Sequence, residues 1–137
     1  MFKLVKIVNS GTNVPEPENF PCNGTIEAPV GSALTLDNTG NFLYTGEVFE
    51  KPSCILAEDL KKGAASALCY RITPDMVFEV PVYGDPLLLH NGVGVSLHYE
   101  STLGLCGVSD STELRVATVY DTNGAKNPGD KILVYFI

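Results

Sequence analysis

The sequence predicts an all-β fold: a small β-barrel or sandwich built from two related strand units, with an extended N-terminal arm. Nine prolines and thirteen glycines divide the 137 residues into short apolar runs, which favours strands and turns over helices. Several runs alternate apolar and polar side chains, and a pair of landmarks recurs in the two halves of the chain. At this length a single domain can bury a substantial core.

The predicted strands show the two-residue period that places alternate side chains on opposite faces of a sheet. In residues 93–100 the odd-numbered positions from 95 onward are apolar and the even-numbered ones from 96 onward are polar or charged. Residues 78–82 alternate in the same way, and residues 132–137 form a continuous apolar run suited to a strand covered on both sides. Residues 57–62 fit either one helical turn or a hairpin loop that closes at the following glycine.

Two related units are predicted inside the domain, at residues 30–80 and 92–137. Each contains a Val-Gly-x-x-Leu sequence, followed later by an aspartate that opens a glycine-containing loop between two apolar runs. The landmarks are Gly31 and Asp59 in the first unit and Gly94 and Asp121 in the second, 28 and 27 residues apart. Neither unit has enough strands to bury its own faces, so we expect the two to pack together.

The N-terminal arm is predicted to cover residues 1–29, and the domain residues 30–137. Residues 9–21 have little periodicity and contain three prolines. Because proline fixes φ and disfavours helix before it, this segment should run as an extended, polyproline-like chain across a surface. It is either a flexible linker or a segment that becomes ordered on a partner.

Composition argues against two classes of partner. Sixteen acidic and nine basic residues give a net charge of −7, which repels a nucleic-acid backbone. No apolar run approaches the roughly 18 residues of a membrane span. The apolar start of the chain is interrupted by Lys6, so it lacks the core of a signal peptide.

The sequence indicates no catalytic group and no cofactor. His98 and Glu100 share one face of a predicted strand, but a third metal ligand at suitable spacing is missing. The four cysteines lie in no recognisable nucleophile or zinc motif, and three of them sit in apolar contexts typical of buried, reduced thiols. We therefore expect a protein that is not an enzyme. A ligand-binding β-barrel, or a small enzyme that uses a metal or a thiol, remains the alternative.

Five segments, at residues 1–7, 13–18, 30–34, 51–55 and 70–79, resemble stretches of the small capsid decoration (cement) proteins of tailed bacteriophages and prophages. The resemblance implies a structural virion protein that binds the outer surface of the capsid and stabilises contacts between major capsid protein subunits. It also implies production in a bacterial cytoplasm, residence on the capsid exterior and, as in several such proteins, assembly into a homotrimer. Another virion component, such as a tail or head-completion subunit, is a second alternative.

If the arm binds a shell, its apolar residues are the expected contacts, since an extended segment can add a strand to a neighbouring sheet. The predicted contact residues are Phe2, Leu4, Val5, Ile7, Val14, Pro15, Pro17 and Phe20. For the first four, the competing interpretation is an ordinary first strand of the protein's own sheet.

Overall fold

A computed structural model describes residues 1–8, 15–40, 42–112 and 115–136. The first six strands are β1 (Lys3–Ile7), β2 (Glu18–Pro21), β3 (Ala33–Leu36), β4 (Leu43–Tyr44), β5 (Cys54–Leu56) and β6 (Ser66–Arg71). The remaining strands are β7 (Met76–Tyr83), β8 (Gly94–Val95), β9 (Leu97–Glu100), β10 (Gly104–Ser109), β11 (Ala117–Asp121) and β12 (Lys131–Phe136). A single 3-10 turn, Pro86–Leu88, interrupts the strands in the described part of the chain. No helix there has the length and apolar character needed to span a bilayer.

The predicted all-β class is confirmed. The strands form one twelve-stranded mixed sheet whose main path is β2-β6-β5-β3-β10-β7-β12-β11-β8. Three strands lie off this path, with β1 on β7, β4 on β3 and β9 on β10. The architecture is sandwich-like, and the sheet is not a closed barrel.

Strand β7 occupies the centre of this arrangement. It is paired antiparallel with β1 and with β12, and its last two residues run parallel to β10. Its inward side chains Phe78, Val80 and Val82 are completely buried, as the alternation predicted. β7 therefore contacts strands from the start, the middle and the end of the chain.

Three phenylalanine rings form the centre of the main core. Phe2, Phe78 and Phe136 meet with ring centroids 5.7 to 6.4 Å apart, in edge-to-face or tilted arrangements that aromatic pairs favour. Apolar side chains from β3, from β5 and from the strands β7 to β12 make up most of the rest of the cluster. This core therefore links the first and last strands of the chain.

A second, smaller core lies under β2, β3, β5 and β6. It contains Phe20, Cys22 and Ala28 together with leucine and cysteine side chains of the adjoining strands. Two strands of the predicted arm, residues 1–29, pair with strands of the domain, β1 with β7 and β2 with β6. Phe2 belongs to the main core and Phe20 to the second one, because burying these rings removes more apolar surface from water than an external arm would.

The two predicted units share a strand order. In each, an entry strand pairs antiparallel with the first strand of a hairpin, giving β3-β5-β6 in one unit and β8-β11-β12 in the other. The two landmark glycines differ in their local structure. Gly31 has a φ of +88° and packs against Met1 and Phe2, whereas Gly94 lies inside β8, where an added Cβ would meet Arg115.

The predicted strand at 93–100 is divided at Ser96. Before it, β8 pairs with β11, and after it, β9 pairs with β10. Val95 and Leu97 are buried as the alternation predicted, but Tyr99 is 49% exposed. The change of partner at Ser96 takes the end of the strand away from the core.

Residues 57–65 connect β5 to β6 as a hairpin loop, so the hairpin interpretation of this segment is confirmed. Gly63 has a φ of +91°, which suits glycine at a loop closure. Asp59 accepts a hydrogen bond from the Val30 N–H at 2.8 Å, so this loop fixes the entry to β3.

Replacing Thr35 with valine should stabilise the fold. The Thr35 hydroxyl is buried without a hydrogen-bond partner among the described residues. Because an unpaired buried hydroxyl keeps its desolvation cost, we expect Thr35→Val to raise the free energy of unfolding by about 1 kcal/mol in urea titration. Thr25→Val is the control, since the Thr25 hydroxyl donates to Asn23 at 2.6 Å. Removing this hydroxyl should not raise the free energy of unfolding. Equal effects of the two substitutions would contradict the explanation.

Asp130 should make stability depend on pH in the acid range. Its carboxylate accepts the N–H groups of Lys126 and Asn127, both at 3.0 Å, and these bonds lower the pKa of Asp130 below its ordinary 3.8. The stabilisation is complete above pH 3.8 and is lost as the pH falls through the lower, folded-state pKa. The stability difference between wild type and Asp130→Asn should therefore shrink in urea titrations below that pH. A difference that stays constant with pH would contradict this.

Candidate functional site

The first strand carries a β-bulge that exposes part of the predicted contact segment. Pairing with β7 shifts register between Leu4 and Lys6, leaving Val5 unpaired in the ladder. Leu4 and Ile7 consequently pack against the main core, while Val5 is 41% exposed and Lys6 projects outward. Among the described residues β1 pairs with β7 alone, so its other edge is a strand edge that a partner could extend.

A shallow apolar groove lies beside the end of β1, and we call it the tyrosine groove. It has a volume of about 400 Å³, and its lining residues are Val8, Pro74, Asp75, Val77, Tyr120 and Tyr135. The two tyrosine rings meet edge to face with centroids 6.4 Å apart. The Asp75 carboxylate accepts a hydrogen bond from the Thr73 hydroxyl, so the acidic group in the groove already has a partner.

Lys6 brings a positive charge to the border of the tyrosine groove. Its Nζ donates to the Tyr120 hydroxyl at 2.9 Å and lies 4.3 Å from the centroid of the same ring. Contact with an aromatic face stabilises a cation and also restrains the long lysine side chain. The groove is therefore largely apolar, with the Lys6 ammonium at one side and the Asp75 carboxylate in its lining.

The second strand, β2, is held to the sheet by a buried aromatic ring. Strand β2 lies at one end of the sheet path and pairs with β6, with Phe20 facing the second core. Arg71 lies over the Phe20 ring and forms an exposed ion pair with Glu18 at 2.7 Å. Exposed pairs contribute little to stability, so burial of Phe20 is the main interaction that holds this strand.

The structure separates the eight predicted contact residues into four groups. Phe2 and Phe20 are buried in the protein's own cores and are unavailable to a partner in this fold. Leu4, Ile7, Pro15 and Pro17 are half-buried, and Val5 is exposed. Val14 lies outside the described residues. Lys3–Ile7 form a first strand of the protein's own sheet, as the competing interpretation expected for Leu4, Val5 and Ile7, and Phe2 directly precedes this strand.

The predicted His98 and Glu100 pair belongs to a second, polar cluster. The two side chains do share a face, with Nε2 and Oε1 3.9 Å apart, and the His98 ring stacks on Tyr83 with centroids 3.9 Å apart. The Cys106 thiol donates to the Tyr83 hydroxyl at 3.5 Å. This hydrogen bond, together with burial of the hydroxyl, raises the pKa of Tyr83. No group of three metal-ligating side chains is found in the described part of the chain.

All four cysteines are free and buried, as expected for those in apolar contexts. Cys54 and Cys69 lie on neighbouring strands of the second core, and the hydrogen bond between their thiols, with burial, raises the pKa of Cys54. A thiol with a raised pKa is a poor nucleophile at neutral pH. This pair of cysteines therefore does not support the alternative of an enzyme that uses a thiol.

Several exposed apolar side chains were not singled out by the sequence. Leu87 and Leu88 are 70% and 63% exposed, and Phe49 is 55% exposed. Their exposure depends on which strands cover which face, which alternation alone does not reveal. The sequence Asp85-Pro86 is a turn signal, and it could have marked Leu87 and Leu88 as loop residues.

Neither a scan of known protein families nor a search of curated proteins finds a match for this chain. The resemblance to capsid decoration proteins therefore stays a prediction.

Gly107 should be essential for the polar cluster. A Cβ at this position would overlap the Tyr83 ring and lie 2.9 Å from the Pro81 carbonyl oxygen. We expect Gly107→Ala to lower the free energy of unfolding by roughly 1–3 kcal/mol through overpacking and to separate Tyr83 from His98. Urea titration measures the first effect, and the NMR shifts of the His98 ring protons measure the second.

A double-mutant cycle controls for other effects of the methyl group. If the clash with the ring is the cause, Gly107→Ala should cost less in a Tyr83→Ala background than in wild type. The same cost in both backgrounds would show that the Tyr83 ring is not what the glycine accommodates.

Proposed function

We propose that this protein is a structural virion component that binds the outer surface of a phage capsid and braces neighbouring major capsid protein subunits. The main support is the resemblance of five segments, spread over the first 79 residues, to capsid decoration proteins. The observation that carries the proposal structurally is the bulged edge strand β1. It presents Val5, an exposed apolar residue, beside a strand edge.

A strand edge is suited to a protein partner. Extension of a sheet by a neighbouring chain supplies backbone hydrogen bonds, and adjacent apolar side chains supply specificity. The bulge at Val5 places two consecutive side chains, Val5 and Lys6, outside the core on the same strand. The net charge of −7 favours a basic shell surface overall, whereas the exposed Lys3 and Lys6 favour acidic groups opposite β1 itself.

The compact fold changes how the proposal must be tested. Deleting residues 1–20 would remove Phe2 and Phe20 from the two cores and two strands from the sheet. Large losses of buried aromatic area unfold small domains, so a deletion would abolish binding for reasons unrelated to contact. Substitutions at exposed positions are needed instead.

Val5→Glu should weaken shell binding while leaving the fold intact. An exposed valine can accept a charge at little cost to stability, but a charge in a desolvated interface is costly. We expect the purified variant to co-sediment with undecorated, expanded capsids at least about tenfold more weakly than wild type, with an unchanged melting temperature.

Val30→Glu is the matched control. Val30 is 48% exposed and lies beside the loop that contains Asp59, outside β1. The control should co-sediment like wild type. Failure of the wild-type protein to bind intact expanded shells would overturn the proposal, and wild-type binding by Val5→Glu would remove β1 as the contact.

A further inference from the structure

The β-bulge in β1 places two lysines on the same side of the sheet. Without the extra residue at Val5, Lys3 and Lys6 would point to opposite faces, since side chains alternate along a strand. With the register shift, Leu4 and Ile7 both pack against the main core, and Lys3 and Lys6 are both exposed. The outward face of β1 therefore carries two positive charges.

A neighbouring strand extends this positive face, and we call Lys3, Lys6 and Lys131 the lysine face. Lys3 lies opposite Glu79 of β7, and the Lys131 ammonium of β12 lies 3.7 Å from the Glu79 carboxylate. Lys6 forms no ion pair within the described ranges and donates to the Tyr120 hydroxyl instead. Three lysines thus share one carboxylate, so this face is cationic on a chain whose net charge is −7.

The tyrosine groove lies at the other end of the same face. Its lining residue Val8 directly follows β1, and Tyr135 shares the outward side of β12 with Lys131. Asp75 also lies at this end, where its backbone carbonyl accepts the Val8 N–H at 2.8 Å. Because the two ends differ in charge, an acidic group fits beside the lysines and an uncharged apolar group fits the groove.

We propose that the shell segment that pairs with the edge of β1 carries acidic residues beside Lys3 and Lys6 and an apolar residue that enters the tyrosine groove. This contact rests on the shell binding proposed above. Alternate side chains of an added strand lie on one face, so the segment reads acidic-x-acidic-x-apolar, in one chain direction or the other. Lys6 can bind a carboxylate and Tyr120 together, because an ammonium has three N–H donors.

Neutralising the two lysines of β1 tests the sign of the partner's charge. Lys3→Gln with Lys6→Gln should co-sediment with undecorated, expanded capsids at least about tenfold more weakly than wild type. Glutamine places no second carboxylate opposite Glu79, so the melting temperature should stay close to that of wild type.

Lys61→Gln with Lys62→Gln is the matched control. It changes the net charge by the same amount at two exposed positions in the loop between β5 and β6, and it should bind like wild type. Wild-type protein that fails to bind intact shells overturns both this contact and the proposed function. Wild-type binding together with unchanged or tighter binding by the Lys3 and Lys6 variant overturns the acidic partner alone.

Removing one wall of the groove tests the apolar end of the contact. Tyr120→Ala should weaken shell binding about tenfold, because the inserted side chain loses its aromatic contact. Tyr44→Ala is the control, since Tyr44 is also 36% exposed but lies on β4, away from β1. Binding of Tyr120→Ala at the wild-type level overturns insertion into the groove.

Photo-crosslinking identifies the shell segment directly. Val8→benzoylphenylalanine, in protein bound to shells, should crosslink to a segment with acidic residues two and four positions from its apolar residue. Mass spectrometry of the crosslinked peptide gives this sequence. Val30→benzoylphenylalanine is the control and should not yield the same segment. A crosslinked segment that lacks the acidic residues overturns the proposal.

Discussion

The packing of Phe78 against Phe2 and Phe136 is the interaction on which the rest of the structure depends. The central strand β7 supplies Phe78, and the strands at the two ends of the described chain bring the other two rings to it. Because β7 also pairs with β10, the same strand connects the main core to the strands that cover the second core. Without this cluster, β1 and β12 would lose their apolar anchors on β7.

This anchoring explains how the surface near β1 is formed. Phe2, Leu4 and Ile7 are used inside the protein, so the register with β7 must shift to accommodate them, and the bulge at Val5 results. The same strand brings Lys6 to Tyr120 at the edge of the groove. Core packing and the exposed contact surface are thus two consequences of one strand's register.

The polar cluster around Tyr83 has a structural explanation that requires no catalysis. Gly107 leaves room for the Tyr83 ring beside β10, and the ring in turn covers one face of His98. The cluster fills a place where two strands approach closely and satisfies the Cys106 thiol. The side chains that carry the proposed function lie elsewhere, on β1.

The sequence by itself determined the all-β class and the shared inward face of residues 78, 80 and 82, because these depend on local periodicity. Only the tertiary structure decided whether the N-terminal segment packs into the domain or projects from it. Its prolines predicted an extended chain, and residues 18–21 form a strand, but an extended chain can pack as readily as it can project. Which occurs depends on whether distant strands leave an apolar space for Phe2 and Phe20. The exposure of Leu87, Leu88 and Tyr99 depends in the same way on distant strands, which a local pattern does not specify.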